Sequence, residues 1–169
     1  NFSGLIEKFR LTHKVVVPIM PLFDMDLLHT SVTGLAKYVE QFIEARGYQN
    51  IHLLGNSLGG HVGLVYILKH PEKIKSLILT GSSGLYENAM GDTYPKRGDY
   101  EYIKNKTAQT FYDPSVATKE LVDEVFEITR NRLKVIKVLA LAKSAIRNNF
   151  NRLKVIKVLA LAKSAIRNN

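Results

Sequence analysis

Residues 51–61 read Ile51-His52-Leu53-Leu54-Gly55-Asn56-Ser57-Leu58-Gly59-Gly60-His61, and the fold turns on how this stretch divides. Ile51 to Leu54 is a short apolar strand, and a helical run continues from Leu58 to Lys69. At their junction lies Gly-x-Ser-x-Gly, Gly55 to Gly59. Gly and Ser are common in loops, so the motif alone says little; a strand before it and a helix after it give it meaning. A sharp, strained turn between the two leaves no room for side chains beside the serine. Ser57 Oγ is then held at the top of the sheet, and the helix N-terminus behind it supplies backbone N–H groups and partial positive charge.

Outward from this turn the chain alternates helix and strand. Phe2 to Arg10 is a short helix with Leu5, Ile6 and Phe9 on one side, and Val15 to Met20 is a buried apolar strand. Ser31 to Arg46 is a helix closed by Gly47, Pro71 ends the helix that follows Ser57, and Ile74 to Thr80 is a further strand. Short, continuously apolar strands suit a parallel sheet covered on both faces. The pattern predicts three parallel strands, near residues 14–20, 50–55 and 74–80, with helices on both faces. From Gly81 to Gly98 the chain is polar and loop-like. From Tyr100 it is helical, with aromatic patches at Tyr100, Tyr102, Phe111 and Tyr112, and no strand returns.

The 169 residues, 46% of them apolar, suffice for one domain with a sizeable core. Cysteine is absent, which removes thiol chemistry and Cys-based metal sites and any need for an oxidising compartment. No apolar run approaches the roughly 18–20 residues of a membrane span, and no charged-then-apolar leader is visible, so a cytoplasmic location is the default expectation. The histidines are scattered without metal-ligand spacing, and Gly81-Ser82-Ser83-Gly84 lacks the Lys-Ser/Thr of a phosphate loop. No cofactor or metal is expected.

The net charge of +9 is localised. Residues 1–130 hold all 15 acidic residues and 14 of the 24 Lys and Arg, whereas residues 131–169 hold ten basic residues and no acid. This basic tail is a repeat: Asn131 to Asn149, NRLKVIKVLALAKSAIRNN, recurs letter for letter from Asn151 to Asn169, with Phe150 between. Each copy favours helix, with Val135, Val138, Leu139, Ala142, Ala145 and Ile146 on one face of the first. The copies are 20 residues apart, so one continuous helix would turn the second apolar face by roughly 200° from the first. Two helices, about 131–147 and 151–167, with a break near Phe150, avoid that conflict. Asn148, Asn149 and Asn151 suit C-cap and N-cap positions. Phe111, Leu121, Val125 and Phe126 are the expected partners of the first copy. The second copy, with no evident partner left, is expected to pair as a hairpin, swap into a neighbour or stay poorly ordered, so self-association is possible.

Residues 1–149 resemble the central part of an α/β-hydrolase. The resemblance rests on Asn56-Ser57-Leu58-Gly59-Gly60-His61, His70-Pro71-Glu72-Lys73-Ile74 and Leu77-Ile78-Leu79-Thr80, which are similar to the core of esterase-like and C–C-hydrolase-like members. It implies an α/β fold: a partial core over 1–82 with the nucleophile turn, a helical cap over 83–149, and a copy of the last cap helix over 150–169. It further implies that Ser57 is the nucleophile, that the Leu58 backbone N–H is one oxyanion donor, and that the substrate is a small acyl compound. In the family the triad acid and histidine follow on loops after two further strands, and a strand carrying the second oxyanion donor lies between those expected at 14–20 and 50–55. Neither feature is matched here. That absence predicts a gap in the sheet or a direct pairing of the two strands.

After Ser57 the histidines are His61, one turn along the same helix and directed away from the serine, and His70 at that helix's far end. Before it stand His13, His29 and His52; His29, on a loop at the sheet's C-terminal edge beside Asp24 and Asp26, is the least unsuitable base. Asp92, Asp99 and Asp113 belong to the cap. Two readings follow: a serine hydrolase of an ester or related acyl bond that is inactive as this chain, or a non-catalytic scaffold whose cationic helix pair binds anionic membrane surface or nucleic acid. The apolar residues Leu133, Ile136 and Leu141 on the charged side of the repeat favour the first, with no nucleic-acid partner.

Overall fold

The computed structural model describes residues 2–85 and 98–148. Six helices and two strands run in the order α1 (Ser3–Phe9), α2 (Val32–Ala45), β1 (Ile51–Asn56), α3 (Leu58–Lys69), β2 (Ile74–Thr80), α4 (Tyr100–Ala108), α5 (Lys119–Arg130) and α6 (Arg132–Arg147). Short 3-10 turns occupy Pro71–Lys73 and Pro114–Val116. None of the described helices is long and apolar enough to cross a membrane.

Local chemistry accounts for the ends of α2. Ser31 Oγ accepts from Gly34 N–H at 2.9 Å and caps the N-terminus. At the other end Gly47 takes φ +63°, its N–H bonds to Glu44 O and Tyr48 N–H to Ile43 O. This is a Schellman closure, sealed by the edge-on contact of Tyr48 with Phe42. Pro71 stops α3 and turns the chain straight into β2.

β1 and β2 pair in parallel, Leu53 beside Leu77 and Asn56 beside Thr80, with a register irregularity between Ile51 and His52. α3 packs on one face, where Gly63 lets Leu53 and Leu77 approach the helix. α2 packs against α3. The core is built from Val32, Leu35, Ala36, Val39 and Ile43 of α2, Val62 and Leu64 to Ile67 of α3, Ile74, and Leu141 and Ala145 of α6. Leu35 and Leu64 are fully enclosed, each contributing about 1.5–3 kcal/mol by burial.

Two expectations are corrected. Residues 14–21 form neither helix nor strand and join no ladder, so the sheet has two strands among the described residues rather than three. Of the two outcomes expected there, direct pairing of residues 14–20 with β1 does not occur. Val16 and Val17 are about half exposed and Ile19 almost wholly so, because a strand without a neighbour keeps its backbone in water, and Pro18 and Pro21 lack N–H donors altogether. What holds this segment is side-chain contact: Lys14 over the Tyr48 ring, His13 against His52, and a long bond from Tyr38 O–H to Ile19 O. Helices also do not cover both faces. No described helix packs broadly on the face opposite α3, and Ile78 there is 47% exposed.

α6 lies on α5 at its N-terminal end and enters the core at its C-terminal end. Asn131 is at once C-cap of α5 and N-cap of α6, its side chain accepting from Leu133 and Lys134 N–H. The expected apolar face is therefore only partly buried: Val135 and Ala145 are enclosed, Val138 and Ile146 stay 37% and 45% exposed, and Leu141, expected on the charged side, enters the core instead. The second copy, 151–169, and the expected break at Phe150 fall outside the described residues.

Candidate active site

Ser57 stands between the last residue of β1 and the first of α3, with φ 50° and ψ −117°. A non-glycine residue in this region stores about 1–3 kcal/mol of strain and persists only where its surroundings enforce it. Here they do. Ser57 N–H donates to Thr80 O at the end of β2 (3.0 Å), and Ser57 O accepts from Gly60, His61 and Ser83 N–H at 3.1, 3.3 and 3.1 Å. One residue's backbone thus ties β1, β2, α3 and the 81–84 turn together. Thr80 Oγ1 adds a bond to Asn56 Oδ1 at 3.0 Å. The side chain is exposed and makes no capping bond to α3.

The two motif glycines differ. A Cβ on Gly55 would fall 2.5 Å from the backbone of Gly59 and Gly60, so only glycine admits the helix so close to the strand. A Cβ on Gly59 would meet nothing within 4 Å among the described residues. Gly60 is the second sterically required position, because Ser82 Oγ lies 2.5 Å from where its Cβ would be. In the sequence Gly81 to Gly84 reads only as the start of a polar loop, whereas in the structure it braces Ser57. The signal was there: a glycine-bounded turn directly after a strand parallel to the one that delivers the serine.

Leu58 is the first residue of α3, so its N–H is among the helix-terminal donors without an intrahelical acceptor. Together with the helix dipole it can stabilise negative charge that develops beside Ser57.

No histidine is brought to Ser57. His61 is fully buried, its Nε2 donates to Asn148 O at 3.2 Å, and its ring abuts Gly84. His70 is at the far end of the 12-residue α3, about 18 Å along the axis, and pairs with Glu40 at 2.9 Å. His52, five residues up the strand from Ser57, is about 16 Å away. His29 Nδ1 lies 2.8 Å from both Asp26 carboxylate oxygens on an exposed turn, and that hydrogen bond holds Asp26 below the usual carboxylate range. Helices α4 and α5 and the turn between them line a half-open cavity of about 350 Å³, bounded by Tyr100, Lys104, Ala117, Lys119 and Val122, none of which belongs to the serine turn. At its rim Tyr100 O–H and Lys119 both donate to Asp123, which lowers the Asp123 pKa and raises that of Tyr100. Asp99 and Asp113 cap local turns through Tyr102 and Ser115 N–H. Asp92 lies outside the described residues.

The chain is similar to known proteins. A 1-acylglycerol-3-phosphate O-acyltransferase of Arabidopsis thaliana is 46% identical over 99 residues, 53% of this chain and 22% of that protein. A 2-hydroxy-6-oxo-6-phenylhexa-2,4-dienoate hydrolase of Comamonas testosteroni is 29% identical over 122 residues, 65% of this chain and 42% of that protein. A crystal structure of an alpha/beta hydrolase enzyme from the metagenome of lagoon sediments of Mar Chica, Morocco, superposes with a TM-score of 0.64 at 39% identity, over 87% of this chain and 52% of that one. The chain thus spans less than half of these two curated relatives and about half of the solved enzyme. A family model described as the alpha/beta hydrolase fold matches residues 19–123, a span that contains both strands, the strained serine, α4 and the start of α5. The chain belongs to the alpha/beta hydrolase fold family.

Proposed function

We propose that Ser57 is the nucleophile of a hydrolase acting on an ester or related acyl bond, and that this chain by itself turns over poorly. The observation that carries the reading is the strained, multiply braced conformation of an exposed serine at the mouth of a helix N-terminus. Ser57 Oγ bonds to the acyl carbon while the carbonyl oxygen becomes an oxyanion facing the Leu58 N–H. The serine proton passes to a base, the bond to the leaving alkoxide breaks, and that alkoxide takes a proton. Water then repeats the sequence and releases the acid. The proton step is the weak one: no histidine among the described residues lies within the roughly 3 Å that a base requires. A relative named for an acylglycerol supports an acyl substrate, and one named as a hydrolase supports water as the final acceptor.

The cationic-helix reading loses support, since α6 buries Val135, Leu141 and Ala145 and places the Lys137 ammonium on Phe23 O at 2.7 Å.

A fluorophosphonate probe followed by peptide mass spectrometry tests the proposal. Slow labelling confined to Ser57 and abolished by Ser57→Ala is expected. Labelling at Ser82 or Ser83 instead overturns the nucleophile assignment, and labelling as fast as in active serine hydrolases overturns the claim of inactivity.

A further inference from the structure

Two histidines that the serine chemistry leaves unused meet edge-on beside β1. His13 follows α1, and His52 is the second residue of β1; their ring centroids are 5.7 Å apart with planes at 80°. Each imidazole is held through Nδ1, His13 by Thr12 Oγ1 at 2.8 Å and His52 by Ser76 Oγ at 2.7 Å. The Thr12 hydroxyl spends its own proton on Phe9 O at 3.3 Å. With that proton so placed its oxygen can accept from His13 Nδ1–H, and in this tautomer His13 presents a lone pair at Nε2. A hydroxyl that accepts from Nδ1 while Nε2 stays open is the outer-shell arrangement that orients metal-binding histidines, and Ser76 can serve His52 in the same way. Both residues are exposed, so an ion can reach them from solvent.

The spacing also fits. With metal–nitrogen bonds of about 2.0–2.1 Å and ring nitrogens about 1.1 Å from their centroids, two imidazoles sharing one ion have centroids about 5–6.3 Å apart, from tetrahedral to linear geometry. The observed 5.7 Å lies inside that window.

We propose that His13 and His52 form a two-imidazole site for a divalent transition-metal ion of the Cu²⁺, Ni²⁺, Zn²⁺ class. No group of three or more His, Cys, Asp or Glu among the described residues could hold a metal, so water fills the remaining positions. Cu²⁺ binds most tightly, as nitrogen ligands dictate. The bound ion ties the start of the 14–21 segment, which has no ladder bonds of its own, to β1. At a free concentration about a hundred times Kd it raises the folding constant about 100-fold.

Isothermal titration of the whole chain with CuCl₂, and separately NiCl₂, in a non-coordinating buffer at neutral pH tests this. One ion per chain is expected. His13→Gln and His52→Gln should each weaken binding at least about tenfold, whereas His29→Gln, whose imidazole is tied to Asp26, should leave it unchanged. Both substituted side chains are exposed, and far-ultraviolet dichroism checks that the variants fold. Electron paramagnetic resonance of the Cu²⁺ complex should show two equatorial imidazole nitrogens, and one in either variant. No binding, binding indifferent to both substitutions, or a single nitrogen in the unsubstituted protein overturns the site.

Discussion

Replacing each motif glycine by alanine should separate steric necessity from mere helix compatibility. At Gly55, which is buried, the new methyl would lie 2.5 Å from three backbone atoms, Gly59 C, Gly59 O and Gly60 N. Relief requires about 1 Å of movement, and the atoms in the way belong to the first turn of α3 rather than to a side chain that can rotate. Overpacked cores typically lose about 1–3 kcal/mol when side chains can yield. With backbone opposing, Gly55→Ala should cost about 3 kcal/mol or more, a large share of the roughly 5–15 kcal/mol that holds a domain together. At Gly59, second residue of α3, the methyl meets open space, and alanine's helix preference gains up to about 1 kcal/mol. Urea titration followed by far-ultraviolet dichroism should therefore put the two variants on opposite sides of the parent, about 4 kcal/mol apart in total by these two estimates. A Gly55→Ala variant that fails to fold while Gly59→Ala folds meets the expectation. Equal midpoints for Gly55→Ala and the parent, or a loss at Gly59 as large as at Gly55, would refute the account of the turn.

Tyr66 is 1% exposed, and its hydroxyl has no hydrogen-bond partner among the described residues; burial, then Glu72, Glu40 and Glu44, push its pKa up to about 12. The folded form resists losing that proton, so stability is unaffected below about pH 10 and falls by up to roughly 2–3 kcal/mol as pH rises through 12. Tyr66→Phe should be as stable or about 1 kcal/mol more stable at neutral pH and lose less between pH 10 and 12, and parallel alkaline profiles would contradict this. Ser144→Ala removes the hydroxyl that receives Val32 N–H at 3.0 Å and should cost about 1 kcal/mol in a urea midpoint, with no change if that bond is idle. Deleting residues 150–169 should leave the fold intact and reduce self-association in sedimentation velocity; unfolding on deletion would make the second copy part of the core.

Much of this arrangement was legible because it is local. The ends of α3 and β2 follow from Gly55, Pro71 and an apolar run, and the closure of α2 from Gly47. Ser57 was legible because strand, turn and helix are contiguous in sequence. The missing third strand was not, because Val15 to Met20 has the composition of a buried strand whatever lies beside it. A ladder needs a neighbour, and neighbours across a parallel sheet are set by tertiary contact. The brace from Thr80 and Ser83 onto Ser57 was hidden for the same reason: it joins residues more than 20 positions apart. Periodicity placed the ends of α6 but not its buried face: Leu141, expected on the charged side, joins Ala145 in the core, while Val138 and Ile146 stay partly exposed.

That docking gives the duplicated helix a testable consequence. The seat of α6 is defined by the Lys137 ammonium on Phe23 O, Leu141 and Ala145 in the core, Ser144 Oγ at Val32 N–H and Asn148 O at His61 Nε2. Every one of these residues has an identical counterpart 20 positions later, Lys157, Leu161, Ala165, Ser164 and Asn168. Side chains therefore do not select the first copy; connection does. Asn131 passes directly from α5 into α6, whereas seating the second copy leaves the 20 residues 131–150 as a loop. Closing that loop costs about 2.7 kcal/mol plus a constant. A lesion in the first copy larger than this closure cost should transfer the seat to the second. Leu141→Asp puts a charge into the core and should cost well above 3 kcal/mol in a chain ending at Asn149, where no replacement exists. In the whole chain the loss should be capped near the closure cost, and adding Leu161→Asp should remove the cap. Equal losses from Leu141→Asp in the two chain lengths would show that the second copy cannot reach the seat.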